Sequence, residues 1–356
     1  MSGPGLPLSP PPRFALEVMA AFVHGSPTPV AAPAPMDWTW IAELTRRHHL
    51  GPLFKSALTR AGVPPDLYAE WQAEERSAFA WNTRAVLAAL KLIALLGEAG
   101  IPVTAMRGLV LAHTAYPAPV LRYMADVDLL IRPADVEATA RALARQGLEP
   151  VKRLRSQLVY QVSDVMFELH YSILTPKRYR AALVAADFVN ARQTFTLPEG
   201  VIPCLPREQE LIAVIAHAFI HHELTGFIPL LDAALIARDP KLDWQYVAQW
   251  SRTAGLERMF HFSLAFVNRL FNLGREPELL RVFPRPLPPN TDKITEAYLA
   301  RLLGLDRPRF YLRRLRHRFS VAESPATWLR QLLRLFARDE FSKLRRSLRA
   351  RVRPRP

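Results

Sequence analysis

The segment Arg122-Tyr-Met-Ala-Asp126-Val-Asp128-Leu-Leu-Ile131 constrains this chain most. Residues 126–131 alternate carboxylate and aliphatic side chains, the period of a β-strand. Two carboxylates two residues apart on a strand share a face, about 6.6–7 Å apart at about 3.3 Å per residue. Asp126 and Asp128 can then converge on one divalent cation or bridge two. The chain must therefore build a sheet around this strand, inside a sequence that otherwise reads as helical.

Residues 36–100 carry a helical pattern. Asp37 is an N-cap before Trp38, Ile41 and Leu44. Gly62-Val63-Pro64-Pro65 breaks the chain, and a long helix runs from Asp66 to about Gly97, with Leu87, Leu90, Ile93 and Leu96 at helical spacing. The pattern then changes. Residues 101–106 read as a short strand, Arg107-Gly108 as a turn and 109–116 as a helix ended by Pro117 and Pro119. Residues 133–147 read as a helix that opens on proline and closes on glycine. Residues 158–162 and 165–171 read as a hairpin around Ser163-Asp164. Helices resume at 208–223, 228–237, 244–254 and 256–271, and residues 284–289 form a proline linker. No internal repeat is visible. The expected organisation is a Pro-rich, disordered stretch at 1–35 within which residues 14–23 can form one short helix, a helical segment at 36–97, an α/β core at 98–206, a second helical segment at 207–283, and a linker with a basic helical tail at 284–356.

Charge is uneven. The chain carries +15, and residues 301–356 hold 17 Lys+Arg against 4 Asp+Glu, so the first 300 residues are close to neutral. Half of the residues are hydrophobic, which excludes wholesale disorder. One cysteine, Cys204, excludes an intramolecular disulfide framework, a Cys-rich zinc module and an iron–sulfur site. A lone thiol and the lack of a signal-like N-terminus lead us to expect a cytoplasmic protein. No stretch reads as a transmembrane helix: the best apolar runs are interrupted by Lys91 and by His217.

A third carboxylate lies in the hairpin. In Met166-Phe-Glu168-Leu-His170, Glu168 and His170 share a face opposite Phe167 and Leu169. If that strand lies beside 126–131, Glu168 completes a carboxylate triad. Upstream, the Arg107-Gly108 turn joins a strand to a helix, where backbone amides can approach a phosphate and Arg107 can donate to its oxygens. Arg122 either pairs with Asp126 or Asp128 or contacts substrate.

Taken together, Gly108, Tyr116-Pro117, Arg122 and Asp126-x-Asp128-Leu-Leu-Ile resemble the nucleotidyltransferase superfamily with the polymerase-β-like fold. More narrowly, they resemble an uncharacterised bacterial nucleotidyltransferase family with the pattern Leu-Lys-Gly…Tyr-Pro…Arg-x-x-x-Asp-Ile-Asp-Leu-Leu-Val. The likeness covers most of residues 36–270, including Asn82, Glu168-Leu-His170, the His217 helix, Asp232 and Asp243-Trp244. Two positions depart from the pattern. Leu109 stands where the superfamily has serine after the glycine, and Arg107 stands where the narrower family has lysine.

The resemblance implies an α+β protein in which a small mixed β-sheet nucleotidyltransferase core is flanked by N- and C-terminal helical bundles. It implies that Asp126 and Asp128 bind Mg²⁺ (or Mn²⁺), that Glu168 is a third ligand or general base, and that Arg107, Gly108 and Arg122 bind the nucleotide and its phosphates. The expected reaction moves NMP from an NTP to a hydroxyl acceptor that the sequence leaves unidentified. Two alternatives stand: a phosphotransferase on the same fold, and a non-catalytic scaffold that docks on nucleic acid or membrane.

The remaining features have plainer readings. His217 and His221 stand at i, i+4, a spacing that can bind zinc, but helix packing is the preferred reading, with a place along the substrate cleft as a third. Trp38, Trp40, Trp71 and Trp81 read as core, and Cys204 as structural. Asp232 reads as a cap or pairing group in its helix bundle. The basic tail is weighed between a solvated helical face and attraction to nucleic acid or an anionic membrane.

Overall fold

The computed structural model describes residues 9–154, 156–173, 188–189, 193–221, 224, 226–287, 289 and 291–305, excluding the side chains of Ile220 and His221. The basic tail beyond residue 305, with its candidate nucleic-acid or membrane role, lies outside the described residues, as does the His221 side chain of the candidate zinc pair.

The short helix expected at 14–23 is present and longer, so residues 10–24 correct the expectation that the N-terminal stretch is disordered. They form α1 (Pro10–His24), with prolines in the first turn, where their missing N–H groups cost nothing. Gly25, at φ 65°, closes the helix. Phe14, Val18, Met19 and Val23 are buried in the helical core, so this segment is tied down by apolar packing.

Asp37 caps α2 (Trp38–His48) by accepting from the Trp40 N–H at 3.1 Å. A short α3 (Gly51–Ala57) leads into α4 (Pro65–Glu98), about 50 Å long at about 1.5 Å per residue. Its length lets α4 join two cores. Leu67 and Trp71 pack in the helical core, and Ala85, Val86, Ala89, Leu92 and Leu96 pack against the sheet. Trp71 is fully buried and donates to Thr45 Oγ1, while Trp38, Trp40 and Trp81 are half-buried at the core margins. By length and composition α4 could cross a membrane, which corrects the expectation that no stretch qualifies; only a third of its most apolar window is buried. Lys91 interrupts the apolar run in sequence without interrupting the helix.

The sheet is mixed and has seven strands: β1 (Val103–Met106), β2 (Val127–Ile131), β3 (Pro150–Arg153), β4 (Gln157–Val162), β5 (Val165–His170), β6 (Gln193–Leu197) and β7 (Gly200–Cys204). Their order is β3-β4-β5-β2-β1-β7-β6. β1 runs antiparallel to β2, and β2 runs parallel to β5. The helix α5 (Gly108–Thr114) links β1 to a short 3-10 turn at Pro119–Leu121 before β2. α6 (Val136–Ala144) follows β2.

Period-two alternation sorts the two faces. Val127, Leu129, Ile131, Phe167 and Leu169 face the core they share with α4 and α6. Asp128, Leu130, Glu168 and His170 take the opposite face. There the chain adds α7 (Arg207–Ile215), a π-helical segment (Ala216–His221), α8 (Ile228–Ala237), α9 (Trp244–Thr253), α10 (Glu257–Phe271), α11 (Glu276–Val282) and α12 (Thr291–Leu302). The architecture is the expected one: a mixed sheet between helical bundles.

Candidate active site

Asp128 and Glu168 stand directly opposite each other in the β2–β5 ladder. In a parallel pair in register, opposite residues share a face, so their carboxylates meet. His170 follows two residues on, on the same face, and its Nε2 lies 2.9 Å from Asp128 Oδ1 and 3.3 Å from Glu168 Oε2. Asp128, Glu168 and His170 each offer a ligand atom within 4.8 Å of the others.

Asp126 lies in the bend just before β2, half-buried and outside that group of three. It still feels its neighbours. Burial, reinforced by the charges of Asp128 and Glu168, raises its carboxyl to about 6, against the pull of Arg107 and Arg122. Asp128 moves the other way. Burial alone would raise it, but Arg107, the His170 hydrogen bond and Arg122 together hold it below its ordinary value. The His170 hydrogen bond likewise lowers Glu168.

Arg107 is not a free donor at a surface turn. It is 6% exposed and reaches across β1 to Asp128, with Nη2 2.5 Å from Oδ1. The same nitrogen lies 2.8 Å from His170 Nε2, and Nη1 meets His217 Nδ1. One nitrogen of His170 cannot accept from Arg107 while donating to the carboxylates; two carboxylates favour the Nε2–H tautomer, which donates to them. The Arg107 backbone is strained, at φ 55° and ψ −120°. Its N–H donates to Glu210 Oε2 at 2.9 Å, and its carbonyl accepts from Leu111 N at 2.8 Å.

Glu210 on α7 is 2% exposed, and burial pushes its carboxyl up to about 8. Nothing in its sequence context marks it: it looks like any first-turn glutamate of a helix. His217, on the π-helical segment, borders a cavity of about 260 Å³ together with Arg107, Gln157, Glu168, His170 and Ser172. It thus stands on the cavity wall, beside Arg107.

Gly108 is buried at the first position of α5, a helix of seven residues. A Cβ there would lie 2.5 Å from Arg122 Nη1 and 3.1 Å from Met124. The glycine leaves room for the Arg122 and Met124 side chains. Arg122, expected to pair with Asp126 or Asp128 or to contact substrate, instead pairs with Asp232 on α8: Nη2 donates to Oδ2 at 2.8 Å and Nε to Oδ1 at 3.4 Å. Tyr116 donates its hydroxyl to the same Oδ1 at 2.9 Å. Burial opposes the charge on Arg122, but Asp232 outweighs it and keeps the guanidinium protonated; burial and Asp232 push the Tyr116 phenol well up. The motif arginine thus clamps the loop before β2 to the C-terminal helices. Cys204 is buried on β7 beside Ala105, and burial raises its thiol to about 11, as suits a structural residue.

The mixed sheet thus sets two carboxylates opposite each other, with an imidazole two residues further on the same face, beside a strand–turn–helix connection. The family described as "Uncharacterised nucleotidyltransferase" matches residues 34–272, about two thirds of the sequence. The chain belongs to that family, and is a transferase. No curated protein matches it. Among solved structures, that of the antibiotic-resistance factor ANT(2'')-Ia is 17% identical, with a TM-score of 0.36; the alignment covers 51% of this chain and 98% of that one.

Proposed function

We propose that the chain is a divalent-metal-dependent nucleotidyltransferase that moves NMP from an NTP to a hydroxyl acceptor. The observation that carries this reading is the register Asp128↔Glu168 with His170 beside it. The donor set suits a cation. Two carboxylate oxygens are hard ligands of the kind Mg²⁺ and Mn²⁺ take, and an imidazole among them tilts the choice toward Mn²⁺. Asp128, Glu168 and His170 would hold the ion, with the Asp126 carboxylate at the rim. Such an ion supplies Lewis-acid polarisation of the phosphoryl oxygens.

The chain's own residues do the rest. Glu168 is the carboxylate that lines the cavity, with a side chain 25% exposed against 9% for Asp128. It takes the acceptor's proton as the hydroxyl attacks the α-phosphorus and pyrophosphate leaves. Arg107 and His217, on the same cavity wall, donate to the phosphates. Gly108 and Arg122 shape that wall from behind, Gly108 by giving Arg122 room and Arg122 by fixing the loop that leads to Asp126.

The test is label transfer. Purified protein with Mn²⁺ or Mg²⁺ and NTP labelled at the α- or γ-phosphate should pass on the α label and release pyrophosphate, and Asp128→Asn should do neither. Transfer of the γ label with release of nucleoside diphosphate would instead make the chain a phosphotransferase.

A further inference from the structure

We propose that the Arg107 guanidinium is the resident cation of the Asp128–Glu168–His170 cluster, and that a divalent ion enters only as Arg107 turns out toward the phosphates of the bound nucleotide. The inference rests on the metal-dependent reading above and deepens it.

Position is the first argument. Nη2 lies 2.5 Å from Asp128 Oδ1 and 2.8 Å from His170 Nε2, against two of the three ligand atoms. A metal bound to that oxygen would need about the separation that Nη2 now keeps from it, so the two compete for the same oxygen. The two cations exclude each other. Charge is the second argument. Asp126, Asp128 and Glu168 bring three carboxylates to one partly buried spot, and buried charges need counter-ions. Arg122 is committed to Asp232. Arg107 is therefore the side chain that holds this place while no divalent ion does.

Arg107 is also poorly settled there. Its backbone occupies a region that favours glycine, Nε is buried without a partner, and its Nη2 faces a histidine nitrogen engaged by two carboxylates. Strain of this kind at a site marks a state that can be exchanged. The cavity of about 260 Å³ beside Arg107 gives the guanidinium space to turn into, and a phosphate offers it a two-pronged partner in place of Asp128. Lysine, the usual residue of this family's pattern at that position, lacks the flat fork that lets one side chain touch Asp128, His170 and His217 together.

The experiment measures Mn²⁺ binding by the loss of the free-ion electron paramagnetic resonance signal, without nucleotide. It compares the unmodified protein with Arg107→Gly, Arg107→Met and the double variant that adds Asp128→Asn to Arg107→Gly. Glycine is at ease at this backbone conformation, and methionine keeps the side-chain bulk should the glycine variant not fold. We expect Arg107→Gly and Arg107→Met to bind Mn²⁺ about tenfold more tightly, a coupling typical of competing ligands. Millimolar guanidinium chloride should reverse the gain in Arg107→Gly, and sodium chloride at equal ionic strength should not. Variants that bind Mn²⁺ no more tightly than the unmodified protein would overturn the inference, as would guanidinium acting only as strongly as sodium. Adding Asp128→Asn to Arg107→Gly should abolish the Mn²⁺ binding that Arg107→Gly gains. If the double variant binds as Arg107→Gly does, the metal centre itself is misplaced and the inference falls with it.

Discussion

Replacing Glu210 by glutamine should make the protein more stable in mild alkali and flatten its dependence on pH. Glu210 holds the Arg107 N–H from inside the protein, and burial raises its carboxyl from the ordinary 4.5 to about 8. Between those values the folded state binds a proton that the unfolded state has released. Stability therefore falls as pH rises, by about 1.4 kcal/mol for each pH unit. The accumulated cost is about 3 kcal/mol at pH 7 and about 4 kcal/mol at pH 8. Glutamine keeps an oxygen for the Arg107 N–H and carries no charge. Its amide nitrogen falls where Glu210 Oε1 has no partner, at a cost of about 1 kcal/mol. The two effects oppose each other, so the stability curves should cross. Glu210→Gln should be slightly less stable at pH 5 and about 3 kcal/mol more stable at pH 8. Urea unfolding of both proteins at pH 5, 6, 7 and 8 measures the difference directly. Parallel curves, or a variant that is less stable throughout, would refute the argument that Glu210 is buried at the expense of its ionised form.

Asp128→Asn should abolish nucleotidyl transfer and lower unfolding stability by about 3–5 kcal/mol in urea, because it leaves the buried Arg107 guanidinium without its counter-ion. Tyr116→Phe should cost about 1–2 kcal/mol in the same assay, since Asp232 keeps Arg122 and loses one donor. Gly108→Ala should cost about 1–3 kcal/mol and lower the melting temperature accordingly, because its Cβ lies 2.5 Å from an Arg122 nitrogen that Asp232 holds in place.

Much of the fold was legible because its signals are local. The long α4, the strand at 127–131 and the hairpin at 157–170 each announce themselves by period, and Asp37 announces α2 by its cap. The sequence analysis assigned no strand to β6, β7 or β3. β6 and β7 are joined by the two residues Pro198-Glu199, and β7 contains Pro203, a residue that weakens any strand reading. β3 is an exposed strand at the end of the sheet order, four residues long, with Lys152 and Arg153 facing solvent. At the N-terminus the apolar run 14–23 marks a helix, but its bounds are hidden for a related reason. The nine prolines in residues 1–36 suggested a loose chain, but three of them are the opening of α1, which packs by its apolar face.

The site divides along the same line. Carboxylate spacing marked Asp126, Asp128 and Glu168, because alternation on a strand is visible without any pairing. The partners that govern those carboxylates come from distant parts of the chain. Arg107 reaches Asp128 through the β1–β2 pairing, Glu210 reaches the Arg107 N–H across 103 residues, and Asp232 reaches Arg122 across 110. None of these contacts has a periodic signature: the first depends on strand pairing, and the other two on how the helices after residue 207 lie over the open face of the sheet. The two arginines read from the sequence as nucleotide-binding groups therefore separate in the folded chain. Arg122 is fixed to Asp232 and Tyr116 in a buried clamp, whereas Arg107 is strained, borders the cavity and sits among the carboxylates. Of the two, Arg107 is the one that lines the cavity, while Arg122 is held in the packing between the sheet and the C-terminal helices.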